Sequence, residues 1–340
     1  VWEWHVATLL REDEYWAGHK RIKTFLTITG FIYLILGFAV LTILLRGVQQ
    51  PLHEMAAQLI ENGRIDYRSG TKELDLLAST INRQLEEIVK ESEAKIERKK
   101  IEHELTIARS IQQSFLPISH PQIGGIDIAA TAVPAFQVGG DFYDYISLGE
   151  GKLGLVIADV SGKGIPAALL MALSCALIRV ISSEGISLQE VLEKTNNRIQ
   201  QYATEGYFVT IFYGILDFAD KNLQYIRAGH NPPLLYKGNS DEFVFLEGRG
   251  MGLGVVEDIY LETRHIELIS GDILVLFTDG VTEAINQYNE EFGVDRLSNL
   301  VREHQNHSAT DIIDKISQEL ETFVSEEPQF DDITLMVIKI

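Results

Sequence analysis

Residues 25–45, FLTITGFIYLILGFAVLTILL, carry no charged side chain and are about long enough to cross a bilayer as a helix. The run has no polar face, which favours a membrane span over a buried core helix. A secretory signal would hold its apolar stretch nearer the start. The chain opens on Val1 rather than Met, so the expectation is a piece of a longer membrane protein. Lys20, Arg21 and Lys23 lie before the run and Arg46 alone just after it. Counted by themselves these charges put the N-terminal side in the cytoplasm, but spans upstream could set the topology instead, and the orientation stays open.

A chain of 340 residues suggests two or three units. With 46% apolar and 23% charged residues it is an ordinary globular mixture and not a disordered one. The net charge of −20 argues against nucleic acid, whose phosphates need clustered Lys and Arg. The lone Cys175 excludes an internal disulfide framework and, within LLMALSCALI, reads as core packing.

After the span, Pro51 suits the first turn of a helix, with Leu52, Met55 and Leu59 on one stripe and Asn62-Gly63 as its stop. Leu74, Leu77, Ile81, Leu85 and Ile88 make a second stripe at helical spacing. Two such short helices cannot bury their stripes alone, whereas pairing with a second copy in a parallel four-helix bundle would do so. Pro51, Gly63, Glu73-Leu74 and Asn82 in this position resemble a HAMP signalling domain, the rival reading being a generic juxtamembrane coiled coil. The stripe fades in VKESEAKIERKK and resumes out of phase at Ile101, Leu105, Ala108, Ile111 and Phe115. A phase break of this kind suits either a two-state transmission helix or a passive spacer. LPISHPQIGGID then ends the helix and marks the main boundary. The expected domains are an end of an extracytoplasmic sensor or juxtamembrane segment at 1–24, a transmembrane helix at 25–45, HAMP at 46–92, a helical coiled-coil linker at 93–117 and a globular domain at 118–340.

In that last domain LGLVIADV, YFVTIFYGILDF, LQYIRAGH, PPLLYKG, DILVLFTDGV and DITLMVIKI read as strands, with a hairpin turn at DFADKN. Helices are expected over 165–183, 188–203 and 310–324. Hairpins with helices inserted between them predict an α+β fold with largely antiparallel sheets.

Four acidic sites stand at strand ends: Asp141 in QVGGDFYDY, Asp159 in LVIADVSGKG, Asp279 in LVLFTDGVTEA, and Asp331-Asp332 in PQFDDITLMVI. Each alone is ordinary turn chemistry, since aspartate beside glycine is common there. Four together, with almost no competing His or Cys cluster, point to all-oxygen ligation of a hard cation, Mg²⁺ or Mn²⁺ rather than Zn²⁺. Two such ions about 3.5–4 Å apart can share a carboxylate and activate water for in-line attack on phosphorus.

GGDFYD, ADVSGKGIPAALLM, AGHNPPLL, FTDGVTE and DDITLMV, in order and at suitable spacing, resemble the motifs of the PPM-type metal-dependent serine/threonine phosphatases, in the SpoIIE/RsbU-like branch. ARSIQQSFLP resembles the helix that precedes the catalytic domain there, so the likeness covers about residues 108–340. The resemblance implies an α-β-β-α sandwich of two antiparallel sheets flanked by helices, with two Mn²⁺ or Mg²⁺ ions in a cleft at one edge. It implies ligation by Asp141, Asp159, Asp279, Asp331 and the carbonyl of Val160, catalysis through a metal-activated water, and support from behind by Asp332, Ser161, Lys163 and Gly140. The implied substrate is a phosphoprotein, a phosphorylated STAS-domain regulator of a sigma-factor pathway. The implied setting is a bacterial cell membrane with the phosphatase domain in the cytoplasm and a homodimer formed through HAMP and linker helices.

The sequence departs from the eukaryotic relatives where a histidine follows the second metal aspartate; here Ser161-Gly162-Lys163 stands. Serine alkoxide is a poor leaving group and needs a proton, from a metal-bound water or from Lys163. The eukaryotic phosphate-binding arginine has no obvious counterpart near AVPAFQVGGD, and His230, followed by two prolines, reads as a loop residue in preference to a catalytic acid. The main rival is a pseudophosphatase, the same fold acting as a binding module. A sensor kinase fails for want of a histidine helix or Gly-rich ATP lid. A Walker-type enzyme fails because DVSGKG lacks the G-x-x-x-x-G-K-[ST] spacing.

Overall fold

The computed structural model describes residues 12–68, 70–121, 124–202, 206–325 and 327–340. The chain divides into two compact units, Val1–Lys99 and Lys100–Ile340. Of the segment expected to close a sensor, residues 1–11 lie outside the described residues.

In the first unit, α1 runs unbroken over Glu12–Asn62 and contains the apolar run, whose length and hydropathy are enough to cross a membrane. Pro51 does not begin a helix but lies inside α1. A proline costs a helix one N–H bond and crowds one carbonyl, yet α1 continues through it to Asn62. The second helix, α2, covers Lys72–Gln113, so the charged residues 89–100 stay helical. Between these helices Asn82 fixes the connector by accepting from Ile65 N at 2.9 Å and donating to Ile65 O at 2.8 Å. Met55, Ile65 and Ala78 are buried together, with Leu59, Tyr67 and Ile81 against them. Leu76, Leu77 and Ile88 remain exposed in the single chain.

In the second unit the elements after α2 are β1 (Asp127–Val133), β2 (Phe142–Gly149), β3 (Lys152–Val160), α3 (Ile165–Ser182), α4 (Leu188–Tyr202), β4 (Val209–Asp217) and β5 (Asn222–Ala228). They continue as β6 (Leu234–Lys237), β7 (Glu242–Phe245), β8 (Thr263–Glu267), β9 (Ile273–Phe277), α5 (Asp279–Thr282), α6 (Gly293–Glu303), α7 (Ala309–Val324) and β10 (Ile333–Lys339). Two five-stranded sheets form, ordered β1-β10-β9-β6-β7 and β2-β3-β4-β5-β8, with every strand pair antiparallel. This is the expected α+β architecture. The sequence reading missed β1, β2, the edge strands β7 and β8, and α6. All four missed strands are sheet edges, and of these β7 and β8 are short or largely exposed, so they lack the apolar run that marks a core strand.

The strand pleat sorts side chains into three apolar layers. Leu155 and Ile157 of β3 face the other sheet and meet Leu274, Leu276, Met336 and Ile338. Their neighbours Val156, Ala158 and Val160 face outward and pack on Met171, Cys175 and Ile178 of α3 and on Leu192 and Ile199 of α4. On the far side Val275, Leu335 and Val337 pack on Leu297 and Val301 of α6 and Ile312, Ile316 and Leu320 of α7. Both faces of each central strand are therefore dry, which is why these strands read as unbroken apolar runs in an antiparallel fold. Cys175 is buried, as expected. The helix α3 is apolar enough to pass as a membrane span, yet its Met171, Cys175 and Ile178 are core residues.

Asp144 of β2 is almost wholly buried, and Arg179 of α3 donates to its Oδ2 from Nε at 2.8 Å and from Nη2 at 2.7 Å. Nη2 also donates to the carbonyl of Phe115 at 2.8 Å, just past the end of α2. Burial pushes the Asp144 carboxyl up and Arg179 pulls it back. Arg179→Ala should cost about 2–4 kcal/mol, because it strands a buried charge. Denaturant melts should show that adding Asp144→Asn recovers much of that loss; additive losses would refute the pairing.

Candidate active site

Strand order brings the four acidic sites to one edge of the sandwich. Strand β3 ends on Asp159-Val160, with Asp159 opposite Thr210 of β4. Strands β9 and β10 are neighbours, with Phe277 opposite Leu335. Asp279, two residues beyond β9, and Asp331, two residues before β10, therefore come from adjacent chain ends. The loop from β1 to β2 crosses from one sheet to the other and carries Gly139-Gly140-Asp141.

Asp332 fastens that crossing. Its Oδ1 accepts from Ala135 N at 2.7 Å, and its Oδ2 accepts from Gly140 N at 2.6 Å and Asp141 N at 3.3 Å. Both bonding oxygens of Asp332 thus point into the loop. Two glycines are required by close approach. A Cβ on Gly280 would lie 2.0 Å from the Asp332 carbonyl oxygen, and one on Gly140 would lie 3.0 Å from the Val160 carbonyl oxygen. Gly140 thereby keeps the space beside that carbonyl clear.

The structure adds residues that the motifs did not name. Thr278 Oγ1 donates to Asp141 Oδ2 at 2.7 Å and accepts from Thr334 N at 3.0 Å, holding the carboxylate from beneath. The only sequence signal was its place beside Asp279. Gln112, in the last turn of α2, clamps Gly139 through its amide: Nε2 donates to Gly139 O at 2.6 Å and Oε1 accepts from Gly139 N at 3.1 Å. Nothing in the spacing of ARSIQQSFLP picks out Gln112, because its partner lies in a loop.

Ser161 leaves the cleft chemistry and stabilises the strand end: its Oγ accepts from Phe208 N at 2.9 Å. Lys163 reaches Asp331, with Nζ 2.9 Å from Oδ2, and its ammonium lies 3.6 Å from the centre of the Phe330 ring. His230 is buried, its Nδ1 3.0 Å from Thr210 Oγ1, and burial pushes its pKa down to about 3. It is a neutral packing group there, in keeping with the loop reading.

The electrostatics of this edge are those of crowded like charges. Burial, then Asp159 and Asp332, push Asp141 well above the ordinary carboxylate range. Burial and the charge of Asp279 push Asp159 up to about 6. Burial and Asp331 raise Asp279. Among the described residues no three Asp, Glu, His or Cys side chains are already closed into metal-ligand geometry. The all-oxygen donor set, the excess of carboxylates over the single ammonium of Lys163 and the Val160 carbonyl beside Gly140 nonetheless fit a hard divalent cation.

The sign of the pH dependence follows. A carboxyl raised in the folded state binds its proton more tightly there than when unfolded, so stability falls as pH rises. In EDTA the melting temperature should drop between the ordinary Asp value of 3.8 and about 6, and Mn²⁺ should restore it at neutral pH. A melting temperature that is flat over this range, or that Mn²⁺ leaves unchanged at pH 7, would contradict this account of the edge.

Comparison with known proteins gives a family and a fold. A family model described as Stage II sporulation protein E (SpoIIE) matches residues 149–340. Phosphoserine phosphatase RsbU of Bacillus subtilis is 34% identical over 242 residues, 71% of this chain and 71% of its own. Protein IcfG of Synechocystis is 35% identical over 263 residues, 69% of this chain but 41% of its own length. Among solved structures, the RsbU and RsbW domains of a Mycobacterium tuberculosis protein superpose with a TM-score of 0.57 at 30% identity, covering 66% of this chain and 62% of that one. The SiaA-PP2C domain of Pseudomonas aeruginosa gives 0.62 at 24% identity over 72% of this chain and 98% of that one, a likeness of fold.

Proposed function

The chain belongs to the SpoIIE family, with a PPM-type phosphatase domain, and we propose that it is a membrane-anchored, signal-regulated protein serine/threonine phosphatase. The single observation that carries this is the convergence of Asp141, Asp159, Asp279 and Asp331, from four separate chain segments, at one edge of the sandwich. Relatives named phosphoserine phosphatases support the reaction class.

Asp141, Asp159, Asp279, Asp331 and the Val160 carbonyl would hold two Mn²⁺ or Mg²⁺ ions. When bound, such ions supply Lewis acidity and a more acidic water, as hydrolysis of a phosphate monoester needs. The chain's own part is to hold the ligands. Thr278 sets the orientation of Asp141, and Asp332 and Gln112 fix the loop that carries it. Lys163 places a cation beside Asp331.

Family membership supports a phosphorylated STAS-domain protein as the substrate. The apolar run at 25–45 supports anchoring in a bacterial cell membrane, with residues 118–340 in the cytoplasm. The packed connector around Asn82 and the exposed Leu77 and Ile88 support a HAMP at 46–92 that dimerises, followed by a linker over 93–117. The pseudophosphatase alternative draws on one observation, the Lys163 ammonium seated on a candidate ligand.

Two experiments test the reading. Wild-type protein with Mn²⁺ should hydrolyse an aryl phosphate and a phosphoserine protein. EDTA or Asp159→Ala should lower the rate by about two to three orders of magnitude, the scale of losing one electrostatic stabiliser; activity that survives both would sink the mechanism. For regulation, Gln112→Ala should weaken Mn²⁺ activation about 10–100-fold, as loss of a group supporting a ligand does. Removing residues 1–100 should change rate or metal affinity, and identical kinetics in both variants would leave the helix a tether.

A further inference from the structure

Beside the carboxylate edge lies a groove that the hydrolytic chemistry does not use. It has a volume of about 500 Å³ and is walled by α5 and the turn after it, the C-terminal half of α7, the approach to β10 and the end of β1. Gly280 and Asp331 line one end, so the groove opens directly onto the candidate ligands. Its apolar lining includes Val133, Ile285, Val324 and Phe330, and Phe330, 74% exposed, also carries the Lys163 ammonium against its ring. Exposed apolar surface gathered in one groove marks an interaction site. Its rim is acidic: Glu283, Glu291, Glu321 and Glu327 line it, and none has a cationic partner among the described residues.

We propose that this groove binds the polypeptide flanking the phosphoserine, and selects substrates that carry an apolar side chain and a lysine or arginine close to it. The proposal rests on the phosphatase reading and names the substrate class of that same site. Continuity decides the occupant, because a chain whose phosphoserine enters the mouth must lay its neighbours along Gly280 and Asp331. Charge decides the chemistry. A second copy of this chain, at net −20, would bring more negative charge to four unpaired glutamates, whereas a basic segment would neutralise them. The apolar lining takes the hydrophobic side chain, and the glutamates fix which flank lies where, as interfaces that combine apolar and charged surface do.

The test uses the full chain with Mn²⁺ and two kinds of substrate. One is p-nitrophenyl phosphate, which has no flanking chain. The others are phosphoserine peptides carrying Leu with Arg, or Leu with Glu, on either flank. Wild type should prefer the Leu/Arg peptides about tenfold in kcat/KM, mostly through KM, since each exposed charge pair is worth only a small factor. Glu291→Lys with Glu321→Lys should abolish or reverse that preference and leave p-nitrophenyl phosphate hydrolysis unchanged. Glu150→Lys with Asp220→Lys makes the same change of net charge at the far ends of β3 and β4 and should keep the preference.

Equal effects of the two double variants would overturn the groove, because net charge alone would then explain the selection. So would a wild type that cleaves p-nitrophenyl phosphate yet treats all the peptides alike, a result that needs no variant to fold. A wild type that cleaves neither kind of substrate would overturn the phosphatase reading itself.

Discussion

The rest of the catalytic unit is arranged around a repulsion. Asp141, Asp159, Asp279 and Asp331 meet at one edge of the sandwich, where Asp159 raises the cost of ionising Asp141, Asp279 that of Asp159, and Asp331 that of Asp279. A buried charge without a partner is among the most expensive features a fold can hold. The fold carries it by making the surroundings rigid: Asp332 spends its carboxylate on three backbone N–H groups, Thr278 donates beneath Asp141, and close-packed Gly280 leaves α5 no room to move from β10. An edge organised in this way is poised for cations, because Lys163 is the one ammonium paired with the four acids and reaches only Asp331 among the described ion pairs.

Rigidity at the edge depends on layers far from it. The two central strand pairs are packed on both faces, so the ends of β3, β9 and β10 cannot shift without opening two apolar layers at once. The loop that carries Asp141 is buried at Val138 and Asp141 but belongs to neither sheet. It crosses between the sheets and is held by hydrogen bonds, among them those from Gln112 at the end of α2. Arg179 ties the same stretch of chain to β2 through Phe115 and Asp144. The loop bearing the most deeply buried of the four acids is thus also fastened to the end of a long helix.

Much of the fold was legible because core strands here leave long apolar runs and the acids sit at their ends. The strands with Asp159 and Asp279 and the helices α3, α4 and α7 could be read within a few residues. The edge strands β7 and β8 could not, since they bury too little to stand out from loops. Pro51 misled for a different reason: a proline is a statistical mark of helix starts, but it is also tolerated inside a helix, and α1 extends through it. Ser161 and Lys163 are neighbours in a motif, yet one ties down a strand end and the other reaches Asp331.

By itself the sequence determined the residue types and their placing: an uncharged span, helical stripes, and four acids at strand ends with glycines beside them. These are local properties, written in periodicity and turn chemistry. Only the tertiary structure decided which groups meet. That Asp332 serves the loop, that Thr278 and Gln112 serve Asp141 and Gly139, and that unpaired glutamates rim an apolar groove beside Asp331 all depend on contacts between segments far apart in the chain. The reason is physical: a hydrogen bond or a like-charge repulsion is set by distance in space, and one chain position carries no record of what will lie across from it.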